Sequence, residues 1–153
     1  GNPDGVAIGN SRSSLAGVDL NRRWSNPVAN IHPEISSKIE HVAEYKTQAG
    51  ISLFCDLHGH NKQKNCFFFG CNTAPKQGLL SWTKTRLLPK IFAQIEPLFD
   101  FSSCKFNQHQ TKYNTARVVV WNDFEVTNSF TLETSMYSKM SFNQDSKKNG
   151  NDE

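Results

Sequence analysis

A predicted helix that runs directly into a predicted strand is the sequence feature that most constrains the fold. Pro33 and Glu34 stand where a helix would begin, apolar residues follow at helical spacing, and Gly50 stands where it would end. This pattern predicts an amphipathic helix over residues 33–49. The apolar run 51–57 follows at once and is typical of a buried strand. Helical and strand patterns alternate along the rest of the chain, so the sequence predicts an α/β fold with a mixed, mostly parallel sheet flanked by helices.

Four further runs are short and rich in β-branched or aromatic residues, which is typical of strands. A long run with apolar residues at spacings of three and four predicts a helix over residues 79–99. Residues 1–31 contain many Gly, Asn, Ser and Pro residues and are predicted to be loop. The sheet should therefore have four or five strands. Besides the strand at 51–57, the predicted strands cover residues 67–69, 101–106, 117–121 and 129–133.

The length of 153 residues suits one domain with its own core and is too short for two. Hydrophobic residues make up 37% of the chain, and no apolar run is long enough for a membrane helix. The net charge of +3 is too small for the clustered basic stripe of a nucleic-acid-binding protein, but it is compatible with an acidic peptide partner. We therefore expect neither a membrane nor a nucleic-acid partner.

The two ends of the chain are polar. The opening GNPDGVAIGN has neither the basic region nor the apolar region of a signal peptide. Because it begins inside a turn-rich loop, we expect the chain to be a segment of a longer protein. Residues 141–153 are polar and charged with no hydrophobic period, which predicts a disordered tail.

The four cysteines, Cys55, Cys66, Cys71 and Cys104, form no C-x-x-C pair. Cys55 also lies inside the apolar run of the first predicted strand. This pattern favours buried thiols in a reducing compartment, so we expect a cytoplasmic location. A structural zinc site built from Cys66 and Cys71 is the less favoured interpretation.

Three polar clusters adjoin the predicted loops and strands. The first contains Arg12, Asn21 and Arg22, the second is Asp56-Leu57-His58, and the third is Thr131-Leu132-Glu133. The second and third each place a polar side chain at the end of an apolar run. A carboxylate in such a position is costly unless it is paired, so the glutamate of the third cluster favours a functional interpretation on its own.

Six motifs that include these clusters carry a resemblance to a known family. They are NPDGV at 2–6, GNSR at 9–12, LAGVDLNRRW at 15–24, CDLHGHNKQKN at 55–65, TARVVVW at 115–121 and NSFTLETS at 128–135. The chain resembles the zinc metallocarboxypeptidases, and most closely their cytosolic carboxypeptidase branch, over nearly its whole length except the tail. The residue types suit that chemistry, because arginine pairs bidentately with a carboxylate, zinc polarises a carbonyl, and a carboxylate takes a proton from water.

The resemblance implies a role for each of five residues. His58 would be a ligand of a catalytic Zn²⁺ ion, in a His₂Glu set such as that of carboxypeptidase A. Asn21 and Arg22 would bind the terminal carboxylate of the substrate. Arg12 would stabilise the oxyanion that develops at the scissile carbonyl. Glu133 would act as general base and later as general acid.

The chain departs from the family pattern in one respect. The other two zinc ligands belong to an H-x-x-E motif upstream of NPDG, and the chain begins after that point. His32-Pro33-Glu34 lies downstream and has the wrong spacing, so we reject it as a substitute. Residues 1–140 should therefore be a C-terminal portion of a catalytic domain with one ligand of three, and we expect this segment to be inactive alone.

Arg117 is a candidate for substrate selection. The resemblance places it at the head of the predicted strand RVVVW, among residues that line the pocket for the released side chain. A cation there would select glutamate, as found on the acidic tails of tubulin and similar proteins. The alternative is an arginine at a strand edge that faces water. Tyr113, in the preceding loop, is a candidate for the mobile tyrosine that covers the substrate in this family.

Other interpretations of the same polar residues stay open. Asp56 either orients a ligand histidine or caps a turn. His60 is expected to be a supporting or solvated residue rather than a ligand. The remaining histidines are expected at the surface: His32, His41 and His109.

Two functions from other classes compete with the peptidase. The first is a non-catalytic module, such as a pseudoenzyme or truncated product, that binds acidic C-termini through Arg12 and Arg22. The second is an HNH-like metal nuclease, suggested by His58-Gly59-His60-Asn61 and the basic balance. The nuclease is disfavoured because the ββα-metal pattern is missing from the sequence.

Overall fold

A computed structural model describes residues 1–10, 12–72 and 78–136 of the chain. The predicted disordered tail at 141–153 lies outside these residues. Within them, no helix combines the length and the apolar character needed to cross a membrane. The helices are α1 (Pro3–Ala7), α2 (Pro33–Gln48), α3 (Leu79–Ile95) and α4 (Ala116–Asp123), and the strands are β1 (Phe54–His60), β2 (Cys66–Phe69) and β3 (Ser129–Ser135).

The described strands form one mixed sheet in the order β1-β3-β2. β1 runs parallel to β3, whereas β2 is antiparallel to it. This register places His58 opposite Glu133, and Asp56 opposite Thr131. The expected α/β class with a mixed sheet is confirmed. The described sheet has one parallel and one antiparallel strand pair, whereas mostly parallel pairing was expected.

The two long predicted helices are confirmed, although α3 ends at Ile95, four residues before its predicted end. α2 begins with Pro33 at its first position, has Glu34 in its first turn, and is followed by Gly50 with a left-handed φ of 74°. Only glycine adopts that conformation without strain, which is why the helix ends there. α3 contains Pro89, which is buried within the helix rather than at its end.

Two predicted strands are wrong. Residues 117–121 belong to α4, which begins after Thr115 in an extended conformation and buries five consecutive residues from Ala116. Periodicity cannot separate a short buried helix from a buried strand, and packing overrides the β propensity of the valines. Over residues 101–106, the Asp100 carboxylate accepts hydrogen bonds from two backbone N–H groups and stabilises the 3₁₀ turn Phe101–Ser103 instead. The described sheet therefore has three strands.

The boundaries of two other segments also differ from prediction. β1 begins three residues later than expected and continues to His60, so His58 lies on the strand and not in the loop after it. The segment predicted as loop over residues 1–31 contains α1, whose N-terminus is capped by the Asn2 side chain, and the 3₁₀ turn Leu20–Arg22.

The apolar core is divided between the two faces of the sheet. The face with Ser129, Thr131 and Glu133 is covered by α4, since Ser129 Oγ donates a hydrogen bond to the Arg117 carbonyl oxygen at 2.7 Å. The core on this side consists of Leu20, Trp24, Ile35, Ala116, Val119, Val120 and Val126. The core on the other side is aromatic and consists of Phe68, Phe99, Phe106 and Phe130. The polar residues of interest thus lie on the α4 side, at the carboxyl ends of β1 and β3.

Candidate active site

His58 and Glu133 lie side by side on the adjacent parallel strands. His58 Nδ1 is 3.8 Å from Glu133 Oε1, and His58 Nε2 is 2.8 Å from Asp56 Oδ2. Asp56 and His58 are two residues apart on β1, so their side chains project from the same face. Phe67 of β2 flanks Glu133 on its other side and is fully buried. The two strands thus hold an imidazole between two carboxylates.

The hydrogen bond to Asp56 determines the tautomer of His58. A carboxylate only accepts, so Nε2 carries the proton and Nδ1 is left with its lone pair towards Glu133. This hydrogen bond is the main reason that the pKa of His58 lies above its usual value of 6.5. Partial burial lowers the pKa, and the negative charges of Asp56, Glu133 and Asp19 raise it further. A carboxylate that fixes one imidazole nitrogen and frees the other is the usual support of a metal-binding histidine.

Replacing Asp56 with asparagine should lower the pKa of His58 in the metal-free protein. The raised pKa means that this pair contributes stability that is fully present below about pH 6.5 and is lost as the pH rises through the folded-state pKa. A titration of the imidazole carbon-bound protons by NMR measures the change. Asp123→Asn, which removes an exposed carboxylate on α4, is the matched control and should leave the His58 pKa unchanged. An unaltered titration in Asp56→Asn would show that the hydrogen bond is not its cause.

The donors in the described residues do not complete a metal site. No group of three His, Cys, Asp or Glu side chains in residues 1–10, 12–72 and 78–136 is arranged to hold a metal ion. This includes Cys66 and Cys71, so a zinc site there gains no support. A catalytic zinc needs three protein ligands. His58 fits the role of one ligand, because its Nδ1 is free of protein hydrogen bonds, and the described residues do not provide the rest.

Asn21 connects the arginine-containing loop to the strands and to α4. Its backbone N–H donates to Asp19 Oδ1 at 3.0 Å, which stabilises the 3₁₀ turn Leu20–Arg22. Its Nδ2 lies 3.3 Å from Asp56 Oδ2, and its Oδ1 accepts a hydrogen bond from the Ala116 N–H at 2.9 Å. Asn21 Nδ2 is also 3.3 Å from the Nε2 atom of His58, but a protonated Nε2 cannot accept from it. One amide therefore joins three elements at the site.

Arg12 and Arg22 share a single carboxylate. Arg12 Nη2 is 3.0 Å from Asp19 Oδ2, and Arg22 Nη1 is 3.8 Å from the same oxygen. Arg22 Nη1 also donates to the carbonyl oxygen of Asn21 at 2.9 Å. The side chain of Arg12 is 71% exposed, whereas that of Arg22 is 30% exposed. Two guanidiniums against one carboxylate leave a surplus of positive charge around Arg22.

Arg117 is buried in the first turn of α4 and is only 6% exposed, so the interpretation as a strand-edge arginine that faces water is wrong. Its Nη1 donates to Thr131 Oγ1 at 3.5 Å, and its guanidinium carbon is 5.7 Å from the centroid of the Phe69 ring. Its Nε has no hydrogen-bond partner in the described structure. Burial raises the pKa of the Cys71 thiol, and the nearby Arg117 charge partly offsets this effect. No carboxylate in the described residues lies within ion-pair distance of Arg117.

Two charged residues near the site were missed by the sequence analysis. Asp19 lies in the motif LAGVDLNRRW, where its position between loop residues gave no signal of pairing. Lys112 is in an irregular segment without a recognisable motif. Partial burial makes the largest contribution to lowering the pKa of Lys112. Repulsion from Arg22, Arg117 and Arg12 lowers this pKa further, and the negative charge of Asp19 raises it.

Tyr113 is the remaining candidate residue. Tyr113 is 48% exposed and precedes α4. The polar groove that it borders has a volume of about 400 Å³ and includes neither His58 nor Glu133; it is lined by Ser25, Gln108, Tyr113, Asn114, Val119, Asn122 and Asp123.

The remaining histidines support the surrounding backbone or lie at the surface. His60 Nδ1 accepts hydrogen bonds from the N–H groups of Lys62 and Gln63, and stabilises the turn after β1. The expectation that His32 is at the surface is wrong. It is 5% exposed, and its Nδ1 accepts a hydrogen bond from the Val28 N–H at 3.0 Å.

Comparison with known proteins identifies relatives for most of the chain. No protein-family model matches it. The chain is 40% identical over 147 residues to cytosolic carboxypeptidase 1 of Danio rerio, and 39% identical over 148 residues to its counterpart of Homo sapiens. It is also 40% identical over 146 residues to cytosolic carboxypeptidase 4 of Mus musculus. Each match covers 88% of this chain.

Over most of its length the chain is similar to cytosolic carboxypeptidases, at about 40% identity. It spans only 12–13% of the length of these relatives. The resemblance deduced from the six motifs is thereby confirmed.

Solved structures agree with this assignment and with the fold. A metallo-carboxypeptidase from Burkholderia cenocepacia superposes with a TM-score of 0.73 at 25% identity, over 88% of this chain and 33% of that one. A metallo-carboxypeptidase from Pseudomonas aeruginosa, in complex with (2-guanidinoethylmercapto)succinic acid, gives a TM-score of 0.66 at 27% identity over 35% of its length. The described segment therefore has the architecture of part of a metallo-carboxypeptidase.

Proposed function

We propose that this segment carries the substrate-binding side of a zinc-dependent carboxypeptidase, which hydrolyses C-terminal peptide bonds and releases glutamate from acidic protein tails such as those of tubulin. The observation that carries the proposal is the placement of His58 Nδ1 3.8 Å from Glu133 Oε1, beside arginines that outnumber their carboxylate partners. Such a site combines a metal-binding atom and a proton acceptor with neighbouring cations that can bind an anion. A cytoplasmic location is part of the proposal, in line with the relatives named as cytosolic.

Each step of the reaction has a candidate residue in this chain. Arg22, with Asn21 beside it, binds the terminal carboxylate and so distinguishes a chain end from an internal peptide bond. Zinc, when bound, supplies a Lewis acid that polarises the scissile carbonyl and lowers the pKa of water. Glu133 takes the proton of the attacking water and passes it to the leaving amine. Arg12, which is largely exposed, provides a positive charge for the oxygen that becomes negative.

The preference for an acidic residue is assigned to Arg117. A buried guanidinium without a carboxylate partner is unfavourable, because it has lost its water without gaining a counter-ion. The side-chain carboxylate of a bound glutamate would provide that counter-ion. The choice of glutamate-rich tails as partners rests on this charge and on the surplus around Arg22.

The competing function is a non-catalytic module that binds acidic C-termini. It rests on the pair Arg12 and Arg22, which would hold a C-terminal carboxylate without any metal. The isolated segment is proposed to be inactive, because one imidazole alone binds zinc weakly.

Hydrolysis by the full-length protein distinguishes these functions. We expect release of glutamate from a peptide that ends in Glu, no release from the same peptide with a C-terminal amide, loss of activity with a chelator and recovery with Zn²⁺. Mass spectrometry of the shortened peptide measures the reaction. Binding of the free-acid peptide without any release would support the non-catalytic module, and release from the amidated peptide at an equal rate would contradict the role of Arg22.

A further inference from the structure

The loop that carries both arginines folds back on itself, and Asp19 lies where its two arms meet. An antiparallel bridge pairs Ser13 with Asp19 and closes the turn between them. Arg12 immediately precedes this bridge, and Arg22 follows Asp19 by three residues. The fold of the loop therefore brings one carboxylate to both guanidiniums, although the two arginines are ten residues apart in the sequence.

The two oxygens of the Asp19 carboxylate make different contacts. Oδ1 accepts a hydrogen bond from the Asn21 N–H at 3.0 Å and so caps the 3₁₀ turn Leu20–Arg22. Oδ2 lies 3.0 Å from Arg12 Nη2 and 3.8 Å from Arg22 Nη1. One oxygen thus holds the backbone of the loop, and the other holds the two cations.

The two arginines depend on this carboxylate to different degrees. Arg22 is partly buried and has a second anchor, because its Nη1 also donates to the Asn21 carbonyl oxygen at 2.9 Å. Arg12 is largely exposed, and within the described residues Asp19 is the carboxylate that holds its guanidinium. A long exposed side chain samples many rotamers unless a partner fixes it. Loss of the Asp19 charge should therefore displace Arg12 and leave Arg22 in place.

We propose that Asp19 is a positioning residue, which fixes the Arg12 guanidinium for stabilisation of the oxyanion and moderates the affinity of Arg22 for the terminal carboxylate. This inference rests on the proposed carboxypeptidase function, which gives a role to each arginine and none to Asp19. A cation that is already oriented when charge develops stabilises the transition state better than a mobile one. The same carboxylate competes with the substrate for Arg22, so its removal should slow catalysis and tighten binding.

The test is Asp19→Asn in the full-length protein, with a peptide that ends in Glu. Asparagine keeps an oxygen that can cap the 3₁₀ turn but removes the charge beside the guanidiniums. We expect kcat to fall about 10- to 100-fold, because Arg12 is misplaced in the transition state. KM should fall about two- to fivefold, because Arg22 loses a competitor for the substrate. Steady-state release of glutamate measures both values, and a partly misfolded variant would lose kcat at an unchanged KM.

A double-mutant cycle shows whether Asp19 acts through Arg12. Arg12→Gln alone should reduce kcat about 10²–10³-fold, as loss of an oxyanion-stabilising group does. Asp19→Asn added to Arg12→Gln should cost no further kcat, whereas losses that multiply would overturn the positioning role. Asp123→Asn removes an exposed carboxylate on α4 and is the matched control, which should keep both wild-type values.

Failure of this inference differs from failure of the proposed function. If the wild-type protein releases Glu and Asp19→Asn keeps its kcat and KM, the role of Asp19 is overturned and the peptidase function stands. If Asp19→Ala lowers kcat while Asp19→Asn does not, Asp19 acts only as a backbone cap, and the positioning of Arg12 is likewise overturned. If the wild-type protein releases no Glu, the proposed function fails, and the assignment of Asp19 fails with it.

Discussion

Glu133→Gln should reduce kcat of the full-length protein about 10²–10⁴-fold, which is the usual contribution of a general base, while the affinity for a peptide that ends in glutamate stays nearly the same. Glutamine has the same shape as glutamate but cannot take a proton from water. The side chain of Glu133 is 10% exposed and lies 3.8 Å from His58 Nδ1, so the substitution changes the chemistry at the centre of the site without changing its packing.

Two measurements separate catalysis from binding in this variant. Steady-state release of glutamate gives kcat, and calorimetric titration with a slowly cleaved peptide gives the affinity. Glu40→Gln removes the same charge from an exposed position on α2 and should retain full activity. If Glu133→Gln keeps near wild-type kcat, another group takes the proton, and the assignment of Glu133 is wrong.

Arg117→Met should reduce kcat/KM for peptides that end in Glu about 30- to 1000-fold, since loss of one partner of a buried charge pair costs about 2–4 kcal/mol. Peptides that end in Leu should lose much less, because they bring no charge into the pocket. Methionine is chosen because it fills much of the volume of the arginine side chain. Alanine would remove the charge and leave a cavity as well.

A structural role for Arg117 predicts different results. Arg117→Met removes a buried cation whose Nε has no partner, so it should leave the free energy of unfolding of the ligand-free protein unchanged or raise it. A purely structural arginine would lower that free energy and would reduce release of Glu and Leu equally. Arg23→Met, an exposed arginine next to Arg22, is the matched control and should preserve the selectivity for Glu.

Local sequence patterns were sufficient wherever one segment determines its own structure. α2 was predicted to within one residue, because Pro33 and Glu34 mark its start and Gly50 marks its end. The strand over 67–69 and the helix that begins at Leu79 were also predicted from spacing and residue type. The candidate residues Asn21, Arg22, His58 and Glu133 were found from motifs. In the structure Asn21 contacts His58, His58 lies beside Glu133, and Arg22 bonds to the Asn21 carbonyl oxygen.

Local patterns were insufficient where distant packing decides the structure. The run RVVVW has strong β propensity, yet it forms α4, because a helix at this place buries Val118 and Val120 completely on the face of the sheet. His58 was expected in a loop, but pairing with β3 extends the strand past it. Arg117 is buried because it lies in the first turn of this helix. The sequence analysis placed it at the head of a strand, where its burial could not be deduced.

The sequence by itself determined the α/β class, the segments that form most helices and strands, and the residue types available for a peptidase site, because these depend on periodicity and on side-chain chemistry. Only the tertiary structure decided which charges stand together. Asp19 and Lys112 are far apart in the chain and share no motif, and a Coulomb interaction depends on distance in space rather than on separation in sequence.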